Sequence, residues 1–326
     1  MADTNGHAAG DLIVAGELCV DLIIRLDGDL RYGQHEQIVE STDLVLGSSS
    51  AITACGAAAL GVRTTMASVR GDDEFGDFLA RELGRLGVDT SQVRVTAELP
   101  TGASTHLSRT DGDRAILTSL GTIGHTRAND VHLDGYRHLH VGSYFLQRSL
   151  WPDVAGLFAR ARAQGLTTSL DGNFDPEERW DCGILELLPH VDIFFANEQE
   201  LRGVTGQVEL SRAAAAALAR MPVGARLVCK LGADGAMVLS RSDDEISTLA
   251  AATPNAPGPL IDTVGAGDSL AAGFIAGHLD GLETARCLAL AVACGTASTR
   301  GAGGVGAQPD RASAEALARS VRISPG

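Results

Sequence analysis

Short apolar runs alternate along the chain with stretches whose apolar residues recur every three to four positions. Leu12–Ala15 is wholly apolar and stops at Gly16, which predicts a short buried strand. The segments 138–141, 167–170 and 192–196 read the same way, and 226–231 with 236–239 predicts a hairpin around Gly232 and Gly235. Between them, 75–87 puts Phe75, Phe78, Leu79, Leu83 and Leu86 on one helical face. A second helix is predicted over 151–164, another begins at Glu198, and from Asp268 onward the pattern is largely helical. Strands that alternate with helices predict an α/β fold with a mostly parallel sheet covered on both faces. In such sheets ligands sit beyond the carboxyl ends of the strands.

Two stretches break the alternation. Residues 22–46 carry mixed charges and the β-prone pieces QIVES and DLVL. Residues 99–122 place ASTHLSRT and RAILTSL around the turn Asp111-Gly112-Asp113. Both are predicted to belong to one small accessory sheet. Residues 1–10 read as a flexible tail and 11–326 as one domain, since neither a repeat nor a low-complexity linker divides the chain.

Composition narrows the picture. Of 326 residues 44% are apolar but only 4% aromatic, and 39 are glycine, so the core is expected from Ala, Val, Leu and Ile with close backbone approaches. A net charge of −15 argues against a nucleic-acid partner. No apolar run approaches the ~18 residues of a membrane helix. The first basic residue, Arg25, follows the first apolar run, which does not resemble a secretory signal. The cysteines at 19, 55, 182, 229, 287 and 294 form no CxxC and no zinc-like spacing with histidine. Reduced, buried thiols in a cytoplasmic protein are the expectation.

The strongest chemical signal is Asp262-Thr263-Val264-Gly265-Ala266-Gly267-Asp268, running straight into the helix SLAAGFIAGHL. Glycines at a helix N-terminus leave backbone N–H groups bare, and with the helix dipole they form an anion site. A carboxylate at Asp268 beside such a site suits a proton acceptor, although it also suits an ordinary N-cap. Asn197-Glu198-Gln199-Glu200, after a strand, suits a hydrated Mg²⁺ or simply an acidic first helical turn. Lys230-Leu231-Gly232-Ala233-Asp234-Gly235 is a hairpin whose glycines admit a base or phosphate closely, or a turn and nothing more. There is no GxxxxGK, and Gly301, Gly303 and Gly306 match GxGxxG with too little chain after them for a βαβ unit. His138 and His140 share a strand face without a third ligand nearby and read as structural. Arg31, Arg109 and Arg114 read as solvated charges of the accessory sheet. His106 reads chiefly as a surface residue there, and Ser143 and Tyr144 as candidates for the wall of a ligand pocket.

Taken together, these segments resemble the ribokinase or PfkB carbohydrate-kinase family from about residue 12 to about 310. The carriers are DTVGAGD, NEQE at 197–200, GELCVD at 16–21, LGSSSAITACGAAALG at 46–61, GDDEFG at 71–76 and SLDGNFDPEERW at 169–180. The resemblance implies a ribokinase-like three-layer α/β/α fold with a mostly parallel central sheet and a small β-sheet lid. It implies an ATP-dependent kinase that phosphorylates a hydroxyl of a sugar-like substrate. Asp268 would be the base, and Gly265, Ala266 and Gly267 the anion hole. Asn197 and Glu200 would organise Mg²⁺ and the ATP phosphates, largely through water, with Lys230, Gly232 and Gly235 along the nucleotide. Asp21, Gly47, Ser48 and Asn173 would meet the acceptor. Asp262 and Thr263 match positions that bind a monovalent cation such as K⁺ in part of the family, and the lid often makes a dimer.

The chain departs from that family at the acceptor. Ser48 replaces the second glycine of a Gly-Gly pair, and Ile52 stands where a sugar-binding Asn belongs. Cys19 stands where ribose-specific members carry Asn, and Asp175 where 2-keto-3-deoxygluconate-type kinases carry Arg. A hydroxyl-reading site loses discrimination when its partner is apolar. A neutral acceptor with an apolar side is therefore expected: a modified sugar, a cyclitol or a nucleoside. The rival expectations are a nucleoside kinase of the same fold and a catalytically silent binder.

Overall fold

The computed structural model describes residues 10–109, 114–242 and 245–326. The expected tail, apart from Gly10, and the expected Asp111-Gly112-Asp113 turn lie outside these residues. In the main sheet β1 (Leu12–Ala15) lies third from one edge. On one side of it lie β4 (Thr64–Gly71) and β5 (Asp89–Thr96). On the other lie β8 (His138–Val141), β9 (Thr167–Asp171), β10 (Ile193–Asn197) and β11 (Arg226–Lys230). All of these run parallel. The hairpin into β12 (Ala236–Arg241), then β13 (Ile246–Ala251) and β14 (Ile323–Pro325) complete the ten-stranded sheet with an antiparallel edge.

Alternation along β1 separates two cores. Leu12 and Val14 join a cluster beneath α1 (Ser49–Ala59), α2 (Glu74–Arg85), α7 (Ala266–Leu279) and α8 (Thr284–Ser298). A buried residue of α9 (Arg311–Ala318), Ala314, joins the same cluster. Ile13 and Ala15 join the opposite cluster beneath α3 (Val154–Ala163), α4 (Ile184–Leu187), α5 (Glu198–Thr205) and α6 (Leu210–Leu218). The three layers follow from residues of β1 being buried on both faces.

The accessory sheet is four-stranded in the order β3 (Ser41–Leu46), β2 (Cys19–Leu26), β6 (Gly102–Arg109), β7 (Arg114–Ser119). Its register aligns Asp21 with Ser104 and Thr118, and Ile23 with His106 and Ile116. Asp21, Ser104, His106 and Arg114 therefore share one face, and Arg114 reaches the body at Asp262.

Several sequence expectations shift. Asp21 lies within a strand of the accessory sheet, because β2 starts at Cys19, ahead of the expected bound at residue 22. QIVES is irregular except for its last residue, and the helix expected over 151–164 starts at Val154 after turns. Strand β5, rich in polar residues, has no apolar run to announce it.

Strand order reverses between β1 and β8, one strand leading on to β4 and the other to β9. Their carboxyl ends, Gly16-Glu17 and Gly142-Ser143, thus mark the crevice where ligands bind in open α/β sheets.

Candidate active site

Helix α7 enters the site bare-ended. Its N-cap is Gly265, at φ 73 in the left-handed region, and no side chain caps it. A Cβ there would stand 2.6 Å from the Cα of Gly304 and 3.0 Å from Ile52, so glycine is required by both conformation and space. Ala266 and Gly267 line the cavity, so the positive end of the helix dipole lies at its wall, while Ala266 N donates to Thr263 O at 3.3 Å.

Asp268 sits in that first turn. Its Oδ1 accepts a hydrogen bond from Ser49 Oγ in the first turn of α1. Burial pushes its carboxyl up to about 7, with Asp171 and Glu17 adding to the rise and Ser49 and Lys230 opposing it. A group poised near neutrality beside an anion site can receive a proton there.

Lys230, at the end of β11, lies against Gly267, its Nζ 3.6 Å from where a Cβ would stand. Nζ pairs with Asp171 Oδ2 at 2.9 Å and approaches Glu200 Oε2 at 3.9 Å. Burial pulls against its charge, yet Asp171 and Glu200 hold the ammonium above its ordinary range. Asn197 and Glu200 form a reciprocal capping box. Asn197 N and Nδ2 both donate to the Glu200 carboxylate at 2.7 Å, and Glu200 N donates to Asn197 Oδ1 at 2.8 Å. The pair caps α5 and also lines the cavity.

A single cavity of about 690 Å³ joins Asp268, Ala266 and Gly267 to Asn197, Glu200 and Lys230. It continues past Gly232 and Gly235 to Leu260, Val292 and Thr296, a half-apolar recess of the kind a purine ring fills, with Asn173, Thr263 and Arg114 on its wall.

The residues that the resemblance assigns to the acceptor have surroundings of another kind. Asp21 is buried in the lid, with His106 Nε2 3.5 Å from its Oδ2 and Cys19 Sγ donating to its Oδ1. Gly47 passes so near that a Cβ would collide with Asp21 Oδ1. His106, expected at the surface, is buried beside that carboxylate. Ser48 turns inward: its hydroxyl donates to Glu17 O at 2.6 Å and accepts from Ala51 N, which makes it the N-cap of α1. Ile52 is core, packed on Gly304 and Gly265. Asp175 is buried and caps its own loop, accepting from Glu177, Arg179 and Trp180 N. Phe174 is half exposed, edge-on to Trp180. Ser143 and Tyr144 are buried, the tyrosine donating to Cys182 O.

The monovalent-cation expectation falls on Asp262 and Thr263. Asp262 Oδ1 accepts from Val264 N at 3.0 Å, Oδ2 accepts from Gly303 N at 3.1 Å, and Arg114 Nη1 lies 3.9 Å away. These donors hold the carboxylate in place. Sequence reasoning passed over Glu17, Ser49 and Asp171. All three lie inside segments that resemble the family, but only the fold shows what they touch.

Comparison with known proteins agrees with this geometry. Residues 9–311 match the pfkB family of carbohydrate kinases. An ATP-dependent ribose-1-phosphate kinase from Halopiger xanaduensis is 31% identical over 298 residues, 89% of this chain and 93% of the relative. A fructoselysine 6-kinase from Escherichia coli is 26% identical, over 69% of this chain and 78% of the relative. The structure of Arabidopsis thaliana ribokinase complexed with ribose and ATP superposes with a TM-score of 0.80 at 22% identity, covering 95% of this chain and 99% of that one. With its family pattern spanning almost the whole described chain, the protein belongs to the pfkB family of carbohydrate kinases.

Proposed function

We propose that this kinase transfers the γ-phosphoryl group of ATP to a hydroxyl, primary by preference, of a neutral sugar-like acceptor, with Asp268 as the base. The observation that carries the reading is the position of Asp268: a carboxyl raised to about 7, in the first turn of a helix whose N-terminus no side chain caps. Phosphoryl transfer has a loose transition state, so the protein's work is positioning and neutralising charge. The amides of Gly265, Ala266 and Gly267 receive the equatorial oxygens of the moving group. Lys230, beneath Gly267, adds a fixed positive charge. Asp268 takes the acceptor proton as the new O–P bond forms.

Asn197 and Glu200 face the phosphates, while Gly232 and Gly235 border the nucleotide's path. The chain's residues fit a magnesium ion held mainly by phosphate oxygens and water. Glu200 is already engaged by Asn197, and among the described residues no group of three His, Cys, Asp or Glu side chains could hold a metal. When bound, the ion neutralises phosphate charge. Asp21, Asn173 and His106 read acceptor hydroxyls, with Gly47 keeping the turn clear over Asp21.

A phosphorylated sugar is a second reading, favoured by Arg114, whose guanidinium lies on the cavity side of the lid. The test is ADP release with Mg·ATP over pentoses, hexoses, cyclitols, nucleosides and ribose 1-phosphate. Turnover of a neutral acceptor well above the acceptor-free rate, abolished by chelation of the metal, is expected. Turnover of ribose 1-phosphate alone would favour the second reading, and no acceptor-dependent release would overturn both.

A further inference from the structure

Glu17 is a buried carboxylate to which the phosphoryl-transfer scheme assigns no part. It lies just past β1, at the reversal in strand order. Donors converge on it from three segments. Ser50 Oγ donates to Oε2 and Ser50 N to Oε1 at 3.4 Å, both from the start of α1. Ser143 Oγ donates to Oε1 at 2.7 Å from the end of β8. Gln147 Nε2 donates to Oε2 at 3.3 Å, with its own Oε1 left unpartnered in the interior. The backbone carbonyl of Glu17 takes the Ser48 hydroxyl as well.

These contacts reach the site on both sides. Ser48 and Ser50 flank Ser49, the residue that donates to Asp268. Ser143 Oγ accepts from Asn173 Nδ2 at 2.9 Å, and Asn173 lines the cavity. Ser48, Ser143 and Asn173 also share a strained backbone, with φ of 74, 48 and 53. Left-handed conformations at non-glycine residues persist only where the surroundings over-determine them. All three lie within two hydrogen bonds of Glu17.

We infer that Glu17 is a positioning residue for the acceptor half of the active site, holding Ser49 against the base and Asn173 in its strained conformation through Ser50 and Ser143. The nucleotide half is built from β10, β11 and α8, and among the described residues none of these elements hydrogen-bonds Glu17 directly; Lys230 is four hydrogen bonds away, through Asp171, whose Oδ1 accepts from Asn173 N at 3.1 Å and whose Oδ2 accepts from Lys230 Nζ at 2.9 Å. Loss of the hub therefore separates acceptor recognition from nucleotide binding. The inference rests on the phosphoryl-transfer reading above.

The test uses Glu17→Gln, Glu17→Asp and Ser143→Ala in the full chain, with Asp268→Asn as a reference. The acceptor is whichever compound of the ADP-release panel gives the highest kcat/KM. Glu17→Gln and Ser143→Ala are expected to raise the acceptor KM, lowering kcat/KM by about 10- to 100-fold. Nucleotide Kd stays within about threefold, and Glu17→Asp recovers part of the loss. Hydrogen–deuterium exchange without any ligand adds a second readout: peptides covering 142–150 and 171–176 exchange faster in both variants, while those covering 226–240 do not. Should Glu17→Gln fail to fold, Ser143→Ala alone carries the test, since it cuts the link to Asn173 and leaves the carboxylate in place. An unchanged acceptor KM, or a nucleotide Kd and melting temperature that fall in step with it, overturns the inference while an impaired Asp268→Asn leaves the kinase reading standing. An unimpaired Asp268→Asn overturns both.

Discussion

The hydroxyl of Ser49 donates a hydrogen bond to Oδ1 of Asp268, joining the first turns of two helices that lie 219 residues apart in the chain. The contact sets one carboxylate oxygen and leaves the other side of the group to the cavity. It also tunes the base, because a donor to a carboxylate favours the charged form while burial disfavours it.

Activity should therefore depend on pH through Asp268. A carboxyl raised to about 7 gives kcat/KM for the acceptor an acid limb near that value, with activity falling as pH drops. Ser49→Ala removes the contribution that lowers the pKa. The limb should move in the alkaline direction by about 0.5–1 pH unit. A pH–rate profile measures both, and a limb that moves toward acid would refute the tuning.

The same residue makes the fold less stable when charged. A folded value near 7 against an ordinary 3.8 means that stability is fully present below about pH 4 and is lost as pH rises through 7. Asp268→Asn keeps an acceptor for Ser49 and cannot ionise. It should be more stable than the wild type at pH 8 by about 1–3 kcal/mol, with the gap closing towards pH 4. Thermal unfolding at both pH values checks this.

Lys230 is the cation buried beside Asp171 and Glu200. Lys230→Met leaves two buried carboxylates uncompensated and should cost about 3–5 kcal/mol in urea unfolding. Adding Asp171→Asn should restore part of that loss, since one stranded charge is gone. A double variant as unstable as the sum of its parts would contradict the pairing.

The buried histidines predict an acid weakness. Arg226 Nη1 lies 3.2 Å from His278 Nδ1 and can only donate, which fixes the direction of the whole chain. His278 Nε2–H donates to Thr167, Thr167 to His138 Nδ1, His138 Nε2–H to Ser169, and Ser169 to His140 Nδ1, over 2.7–3.0 Å. Every ring is thus neutral, and burial lowers each pKa, that of His140 to about 4. Below the unfolded value of 6.5 the unfolded chain binds the extra protons, so stability falls from there towards pH 4. His140→Asn keeps an acceptor for Ser169 and does not titrate. It should remove about 2 kcal/mol of the loss between pH 7 and pH 5.

Much of the fold was legible because its parallel strands are uninterrupted apolar runs, as at Leu12–Ala15, and because glycine turns introduce helices, as at Gly265. Asp268, Asn197 and Glu200 stood out because their local spacing with glycine or with a helix start carries the chemistry. Strand β5 was not legible, since its edge position leaves polar residues along much of its length. The same holds for Glu17 and Ser49. Each is an unremarkable residue in sequence, and its role comes from partners between 33 and 219 positions away. By resemblance alone, Ser48, Ile52 and Asp175 bear on how the acceptor is recognised. In the structure each is held by its own neighbourhood: a cap, a core position and a loop.

The central claim is that Asp268 receives the acceptor's proton while the amides at the start of α7 hold the moving phosphoryl group. The most direct measurement is kcat for Asp268→Asn alongside its nucleotide Kd. The account predicts a fall in kcat of about 10²–10⁴-fold with nucleotide binding retained. A kcat equal to that of the wild type would contradict it.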